Sequence, residues 1–198
     1  MWPAPVTLTG QHTTLLPLSL NHLQDLKRAT EDGELSKIWY TIVPSAEGMQ
    51  AEIERRLSLQ DAGKMLPFTV CTPDGRPVGM TTFMNIDATN RRVEIGSTWY
   101  RKSVQRSGLN SDAKRLLLSH AFDTLNCIAV EFRTHFMNRQ SRAAIERLGA
   151  KLDGVLRSHV LGLNGTLRDT AVYSITAAEW PTVNMNLEGA LAGWGERR

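Results

Sequence analysis

The sequence is poor in cysteine and has no long hydrophobic run. Its two cysteines, Cys71 and Cys127, are too few for a disulfide scaffold, and we expect both to be reduced core residues. No run of about 18 apolar residues occurs, so no membrane span is predicted. Residues 1–18 lack the basic start and the continuous apolar core of a signal peptide. We therefore expect a cytoplasmic protein with no membrane partner.

An excess of charge of one sign is also missing. Lys and Arg exceed Asp and Glu by 23 to 20, and no basic run is longer than two residues. This weakly basic balance suits a small anionic ligand and gives little support to a nucleic-acid-binding role. The five histidines are scattered, without metal-ligand spacing. We expect no direct nucleic-acid partner and no bound metal.

The remaining composition is that of a globular protein, with 41% hydrophobic and 22% charged residues. The length suits one domain, and the periodicity alternates in the order β-α-α-β-β-β-α-β-α-β-β. We predict a single α/β domain over 1–198 with a mixed sheet, ending in a helical tail at 178–198. The predicted strands are 6–18, 66–72, 78–84, 92–100, 127–137, 151–161 and 166–176, and the predicted helices begin near Ser19 and Ser45 and cover 111–125 and 141–148.

The loop at 105–110 links the predicted strand 92–100 to the predicted helix 111–125. Gly108 allows the backbone to come close to a ligand, and a helix start offers unpaired N–H groups and the positive end of the helix dipole. Arg106 can add a charge-assisted contact to an anion. The alternative is that Gly108 only permits the chain to turn. The spacing is compatible with both interpretations.

Motifs along most of the chain carry a family resemblance. Gln105 and Gly108 match the pattern Gln/Arg-x-x-Gly-x-Gly/Ala, and Asn110 stands where this pattern has Gly or Ala. The other matching positions within 6–183 are Leu8, Gly10, Leu15, Pro17, Leu18, Asn138, Ser141, Leu148, Gly149, Ala150, Leu156, Arg157, Gly165, Arg168 and Asp169. Together they resemble the GNAT superfamily of acyl-CoA-dependent N-acetyltransferases. The similarity is greatest to the bacterial enzymes that acetylate ribosomal-protein N-termini.

This resemblance implies a mixed, mostly antiparallel sheet with a central splayed parallel pair and flanking helices. It also implies acetyl-CoA as co-substrate, with the pyrophosphate on the backbone N–H groups of 106–110. The pantetheine arm would lie between 92–100 and 127–137. Asn138 would contact the pantetheine amides or, alternatively, cap the following helix. The expected coenzyme A ligands are Ser97, Thr98, Trp99, Gln105, Arg106, Ser107, Gly108, Leu109, Asn110, Asn138 and Ser141.

The implied reaction is direct attack of a primary amine on acetyl-CoA in a ternary complex. Because an ammonium has no lone pair, the amine must lose a proton, and Glu94 is the expected base. Its alternatives are a surface position or a structural ion pair, and Asp169 is the second candidate base. The hydroxyl of Ser141 would assist the leaving thiolate or only cap its helix. A backbone N–H near Ser97 or Thr98 would face the oxyanion.

The acceptor is less defined, because members of this family share a cofactor site and vary the acceptor site. A protein N-terminus requires an open groove. A small cationic amine requires an acidic pocket, to which Glu31, Asp32 and Glu34 would contribute unless they only end a helix. A third hypothesis is a coenzyme A-binding module without turnover. The family is often homodimeric. The residues expected to line the acceptor side are Trp39, Tyr40, Phe83 and His159.

Overall fold

The computed structural model describes residues 2–37, 39, 41–162 and 165–195, and its elements follow the predicted order. The predicted strand at 6–18 divides in two, because a turn closed by the Gly10 N–H on the Thr13 carbonyl interrupts it. The strands are β1 Leu8–Thr9, β2 Thr14–Pro17, β3 Met65–Cys71, β4 Pro77–Asp87, β5 Arg92–Tyr100, β6 Ala129–His135, β7 Lys151–Leu161 and β8 Leu167–Thr176. The helices are α1 Leu23–Glu31, α2 Met49–Asp61, α3 Leu109–Ser119, α4 Arg139–Arg147 and α5 Trp180–Gly195.

The strands form an eight-stranded sheet in the order β1-β2-β3-β4-β5-β6-β8-β7. Every neighbouring pair is antiparallel except β5 and β6, which are parallel. The connection between these two strands runs through α3, as a parallel pair requires a crossover. The predicted mixed, mostly antiparallel sheet with flanking helices is confirmed.

The parallel pair opens along its length. Strands β5 and β6 pair only from Arg92↔Ala129 to Glu94↔Glu131, although both strands continue beyond these residues. A bulge explains the divergence: Met80 pairs with Trp99 and Thr82 with Gly96, so two residues of β5 face one residue of β4. A β-bulge bends its strand and increases the local twist. The predicted splayed pair is therefore present, with its opening beside the bulge.

The two faces of the sheet carry separate cores. Helices α1 and α2 pack on one face through a smaller cluster, whose members include Leu26, Met49, Ile53, Met80 and Trp99. Helices α3, α4 and α5 pack on the other face in a larger cluster, whose members include Leu117, Phe132, Ile145, Tyr173 and Leu187. Each fully buried side chain of this size contributes roughly 1.5–3 kcal/mol. These cores fix the sheet on which the candidate site is built.

Helix α3 differs from its predicted range of 111–125. It begins at Leu109, ends at Ser119 and is followed by one wide π-helical turn over His120–Thr124. The C-terminal helix packs against this end: the Trp180 ring stacks on Phe122 at 5.4 Å, and its indole N–H donates to Asp123 at 2.8 Å. The predicted helical tail is therefore docked on α3. No helix in the described residues is both long and apolar enough to cross a membrane.

Candidate functional site

The loop between β5 and α3 is shaped by its own side chains. The Gln105 amide donates to the Tyr100 carbonyl at 2.9 Å. The Ser107 hydroxyl donates to the Val104 carbonyl at 2.7 Å and accepts from the Leu109 N–H at 3.3 Å. Gln105 and Ser107 were expected as coenzyme A ligands, but in this structure their side chains bond to the backbone of the loop and fix its conformation. The backbone N–H groups of the first turn of α3, which lack helical acceptors, are the groups suited to an anion.

Gly108 precedes the first residue of α3 and is buried. Its φ of −63° is open to any residue, so the turn itself does not require glycine. A Cβ at this position would lie 2.9 Å from Cδ2 of His12. Gly108 is therefore needed because His12 comes so close to it. Neither the phosphate-site interpretation nor the turn interpretation included this contact, which joins residues nearly a hundred positions apart. Arg106, by contrast, is exposed and has a left-handed φ of +59°.

Asp112 ties the start of α3 to the N-terminal hairpin. Its Oδ2 accepts from the backbone N–H of His12 at 2.6 Å and of Thr13 at 3.2 Å. A carboxylate in the first turn also complements the positive end of the helix dipole. Sequence reasoning did not single out Asp112. The one available signal was an acidic residue in the first turn of a predicted helix.

The bulge in β5 places Ser97 at the opening between the parallel strands. Ser97 is exposed and has a left-handed φ of +48°. Its neighbour Thr98 is half-buried, and its hydroxyl lies 2.8 Å from that of Thr81. Trp99 is buried in the α1/α2 cluster, so only its backbone remains for the expected coenzyme A contact.

Glu94 lies immediately before the bulge and is 5% exposed. Its Oε2 accepts from the Asn85 amide at 2.6 Å and lies 3.5 Å from Nε of Arg133. Burial raises the pKa of Glu94, and the hydrogen bond from Asn85 and the charge of Arg133 oppose that rise. Its Oε1 lies 3.0 Å from the place of a Cβ on Gly96, so the carboxylate reaches toward the bulge. The surface alternative is excluded, while the ion pair and the predicted base are compatible with this geometry.

The start of α4 shows the capping role of Asn138. Its Oδ1 accepts from the Ser141 N–H at 3.0 Å, which is the geometry of a helix N-cap. The contact to pantetheine amides stays a prediction. No described hydrogen bond uses the Ser141 hydroxyl, and the residue is half-buried beside the end of β6. The assistance of Ser141 to a leaving thiolate likewise stays a prediction.

Of the residues expected on the acceptor side, Trp39 and His159 are exposed and Phe83 is buried. Trp39 is 62% exposed and meets the His135 ring edge-on at 5.3 Å. His159 is exposed on β7, with Nδ1 3.1 Å from the Thr170 hydroxyl. Phe83 is 0% exposed and packs edge-on against Phe68 in the larger core, so the expectation that it lines the acceptor side is wrong. Tyr40 lies outside the described residues.

The acidic residues at the end of α1 do not form a shared pocket. Asp32 accepts from Nε of Arg101 at 2.8 Å and from the Ser103 N–H at 3.1 Å, and these contacts lower its pKa to about 2. Glu34 pairs with Lys37 at 2.6 Å. Asp32 and Glu34 therefore do not form the acidic pocket that a small cationic amine would require.

Asp169, the second candidate base, is engaged within the β7–β8 hairpin. It accepts from the Ser158 N–H at 2.7 Å and from Nε of Arg157 at 2.9 Å. The backbone hydrogen bond from Ser158 and the charge of Arg157 lower its pKa, which makes it a weaker base. Glu94, with a raised pKa, is better suited to accept a proton. Across the described residues, no group of three or more His, Cys, Asp or Glu side chains is placed to hold a metal ion.

An open cavity of about 500 Å³ lies over β6, β8 and β7. It carries charges of both signs and adjoins Glu94 through Arg133. Strand β7 is exposed along most of its length, so this part of the sheet is accessible from solvent. The lining residues are Arg92, Ala129, Glu131, Arg133, Asp153, Gly154, Leu156, Val172, Ser174 and Thr176.

Comparison with known proteins identifies the family. The “Putative ribosomal N-acetyltransferase YdaF” of Bacillus subtilis (strain 168) is 36% identical over 107 residues, which are 54% of this chain and 57% of that protein. The chain thus spans little more than half of this curated relative. A GCN5-related N-acetyltransferase from Brucella melitensis matches with a TM-score of 0.85 and 26% identity over 96% of this chain and 86% of that one.

The fold is also that of RimJ from Mycobacterium smegmatis, solved in complex with CoA-disulfide. The TM-score is 0.79 at 22% identity, over 96% of this chain and 95% of that one. A family model described as an acetyltransferase (GNAT) domain matches residues 12–151, which is more than half of the sequence. The chain therefore belongs to the GNAT acetyltransferase domain family.

Proposed function

We propose that the protein is an acetyl-CoA-dependent N-acetyltransferase that acetylates a primary amine by direct attack. The observation that carries this proposal is the arrangement along β5. A buried carboxylate, Glu94, is the last residue of β5 that pairs with β6, and the bulge at Ser97–Thr98 follows it. The same strand leads through the loop to the start of α3. One strand therefore connects a candidate base to a candidate phosphate site, with an open strand edge between them.

The geometry suits coenzyme A in its two parts. The first turn of α3 offers N–H groups and a positive dipole end to the pyrophosphate. Because β5 and β6 stop pairing after Glu94 and Glu131, their later residues leave backbone groups for an extended pantetheine arm. RimJ, which shares this fold, was solved with CoA-disulfide. Asn110, where the family has Gly or Ala, would place an amide at the edge of the pyrophosphate site.

The residues then divide the reaction into steps. The amine nitrogen attacks the thioester carbon, its proton passes to Glu94 directly or through water, and the carbon–sulfur bond breaks. A backbone N–H at the Ser97–Thr98 bulge meets the negative oxygen of the tetrahedral intermediate. The thiolate leaves toward Ser141, whose hydroxyl donates a hydrogen bond to the sulfur. Burial supports Glu94 in this role, because a raised pKa makes a carboxylate a better base near neutral pH.

The acceptor we propose is the α-amine of a protein N-terminus. The open cavity beside Glu94 can receive an extended chain end, and Asp32, one of the three residues considered for an acidic pocket, is already paired with Arg101. The curated relative YdaF carries the name of a ribosomal N-acetyltransferase. A small amine is the alternative acceptor, and a coenzyme A-binding module without turnover is the alternative from another class.

Titration calorimetry with coenzyme A tests the phosphate site. The variant Gly108→Val should lose measurable binding, because its side chain collides with the His12 ring and displaces the loop N–H groups that would face the pyrophosphate. The double variant Gly108→Val/His12→Ala removes the partner of that collision. We expect the double variant to regain stability and part of the affinity. Gly189→Val on α5, with open space around its Cβ, is the matched control. Unchanged affinity in both Gly108→Val variants would overturn the proposed site.

Acetyl transfer from labelled acetyl-CoA tests the base and the acceptor. With a bacterial lysate as acceptor, label on α-amines of macromolecules supports the proposal, and label confined to metabolites overturns the protein acceptor. Glu94→Gln should lower turnover by about 10²–10⁴-fold at unchanged coenzyme A affinity. Glu188→Gln, on an exposed carboxylate of α5 that pairs with Arg115, is the control and should retain most of the activity. Coenzyme A binding without any transfer by the wild type would favour the binding module.

A further inference from the structure

The bulge in β5 is held from both faces of the sheet by buried basic side chains. Arg56 reaches it from α2, and Lys114 reaches it from α3. Residues Ser97 and Thr98 together face Thr81 of β4, so the bulge cannot depend on the regular ladder for its conformation. Its peptide groups are therefore fixed by these side chains.

Arg56 is 2% exposed, although it follows directly on the half-exposed Arg55. Its Nη1 and Nη2 each lie 3.3 Å from the Ser97 carbonyl oxygen, and Nη1 donates to the Thr82 hydroxyl at 2.8 Å. Its Nε donates to Glu52 at 2.7 Å. Because a guanidinium is a rigid planar fork, these bonds fix the direction of the Ser97 carbonyl.

The Ser97–Thr98 peptide is trans, so its N–H points away from the carbonyl that Arg56 binds. A carbonyl that accepts from a cation also polarises its own peptide group, which makes the N–H a stronger donor. Arg56 thus determines both the direction and the strength of the Thr98 N–H.

Lys114 is 7% exposed on the opposite face. Its Nζ donates to the Thr98 hydroxyl at 2.9 Å and lies 3.4 Å from the Thr81 hydroxyl. Burial lowers the pKa of this amine to about 7, and no described carboxylate offsets the cost of its charge. An apolar side chain of similar length would fill this space without that cost, and the two threonine hydroxyls, 2.8 Å apart, would still bond to each other. The lysine is thus an unfavourable choice for stability alone.

We propose that Arg56 and Lys114 are positioning residues that hold the Ser97–Thr98 peptide so that its N–H polarises the acetyl carbonyl. This inference rests on the proposed acetyltransferase function and deepens it. Neither side chain touches the reacting atoms. Arg56 sets the peptide through the Ser97 carbonyl, and Lys114 sets it through the Thr98 side chain. Arg56 also adds positive charge beneath the point at which the oxyanion forms.

Acetyl-CoA itself is the probe, so the test does not require the natural acceptor. Infrared difference spectra of bound acetyl-CoA, with and without ¹³C at the carbonyl, report the polarisation of the thioester. We expect the wild-type band below its solution frequency. In Arg56→Lys and Lys114→Met it should return toward the solution value, with coenzyme A affinity within about threefold of wild type because the phosphate loop is untouched. Turnover should fall by about 10–100-fold, less than for loss of an oxyanion donor itself.

The controls separate positioning from stability. Arg55→Met removes the neighbouring arginine that shares Glu52 and should change neither the band nor turnover. Lys114→Met should unfold at the same or a higher temperature than wild type, a result that a purely structural lysine would not give. If both variants bind acetyl-CoA and their carbonyl band stays at the wild-type frequency, this inference alone would be overturned. Absence of acetyl-CoA binding by the wild type would instead overturn the proposed function.

Discussion

Replacement of Asp112 by alanine should destabilise the protein by freeing the N-terminal hairpin from the start of α3. Its Oδ2 is the acceptor for two backbone N–H groups, those of His12 and Thr13, at 2.6 and 3.2 Å. Thr13 is fully buried, so water cannot replace the lost acceptor there. A buried donor left without an acceptor costs about 1–3 kcal/mol, which gives about 2–6 kcal/mol for the pair.

The effect is measurable by thermal unfolding followed by circular dichroism. For a chain of this size, each kcal/mol lowers Tm by about 2–4 °C, so Asp112→Ala should unfold at a temperature lower by about 4–24 °C. Asp112→Asn keeps one carbonyl oxygen for these donors and should lose less than half as much. The exposed Asp61 provides a control, and Asp61→Ala should change stability by less than about 0.5 kcal/mol.

The same variant links stability to the ligand site. His12 lies against Gly108, so a loosened hairpin frees the loop that precedes α3. Coenzyme A affinity should therefore fall in Asp112→Ala, and coenzyme A at saturating concentration should restore part of the lost Tm. Equal Tm values for Asp112→Ala and wild type would refute the reasoning, because they would mean that the two N–H groups find other acceptors.

Three further predictions concern titratable groups. Burial raises the pKa of Glu94, so its ionised form opposes folding. Glu94→Gln should thus be more stable than wild type at pH 7, an advantage that disappears below the ordinary glutamate pKa of 4.5, as urea titrations at both pH values would show. Contacts with Arg101 and Ser103 lower the pKa of Asp32 to about 2, so its contribution is complete above pH 3.8 and is lost as the pH falls toward 2. Asp32→Asn should flatten the acid limb of an unfolding curve over that interval. Burial raises the pKa of Cys71 and Cys127 to about 11, so a thiol reagent at neutral pH should label them only after unfolding, and rapid labelling of folded protein would contradict their burial.

Much of the fold was determined by local sequence. Periodicity predicted strands at 66–72, 78–84, 127–137, 151–161 and 166–176, and the structure has β3, β4, β6, β7 and β8 there. The crossover from β5 through α3 to β6 followed from the order of these elements, because parallel strands need such a connection. The loop before α3 was predicted from a glycine at a helix start, and its phosphate-binding role stays a prediction. Each of these signals lies within a few residues of the structure that it specifies.

The tertiary structure alone decided which faces and partners these residues have. Nearly all of β3 and the first half of β4 are buried on both faces, so alternation could not tell that Phe83 points into the core beneath α3. Arg55 and Arg56 are adjacent in sequence, but a helix turns successive residues by about 100°, and only Arg56 meets the bulge. Nothing in the sequence distinguishes Lys114 from other helical lysines, and only the packed structure brings it into contact with Thr81 and Thr98. Composition and periodicity specify elements, whereas contacts between residues far apart in the chain exist only after those elements pack.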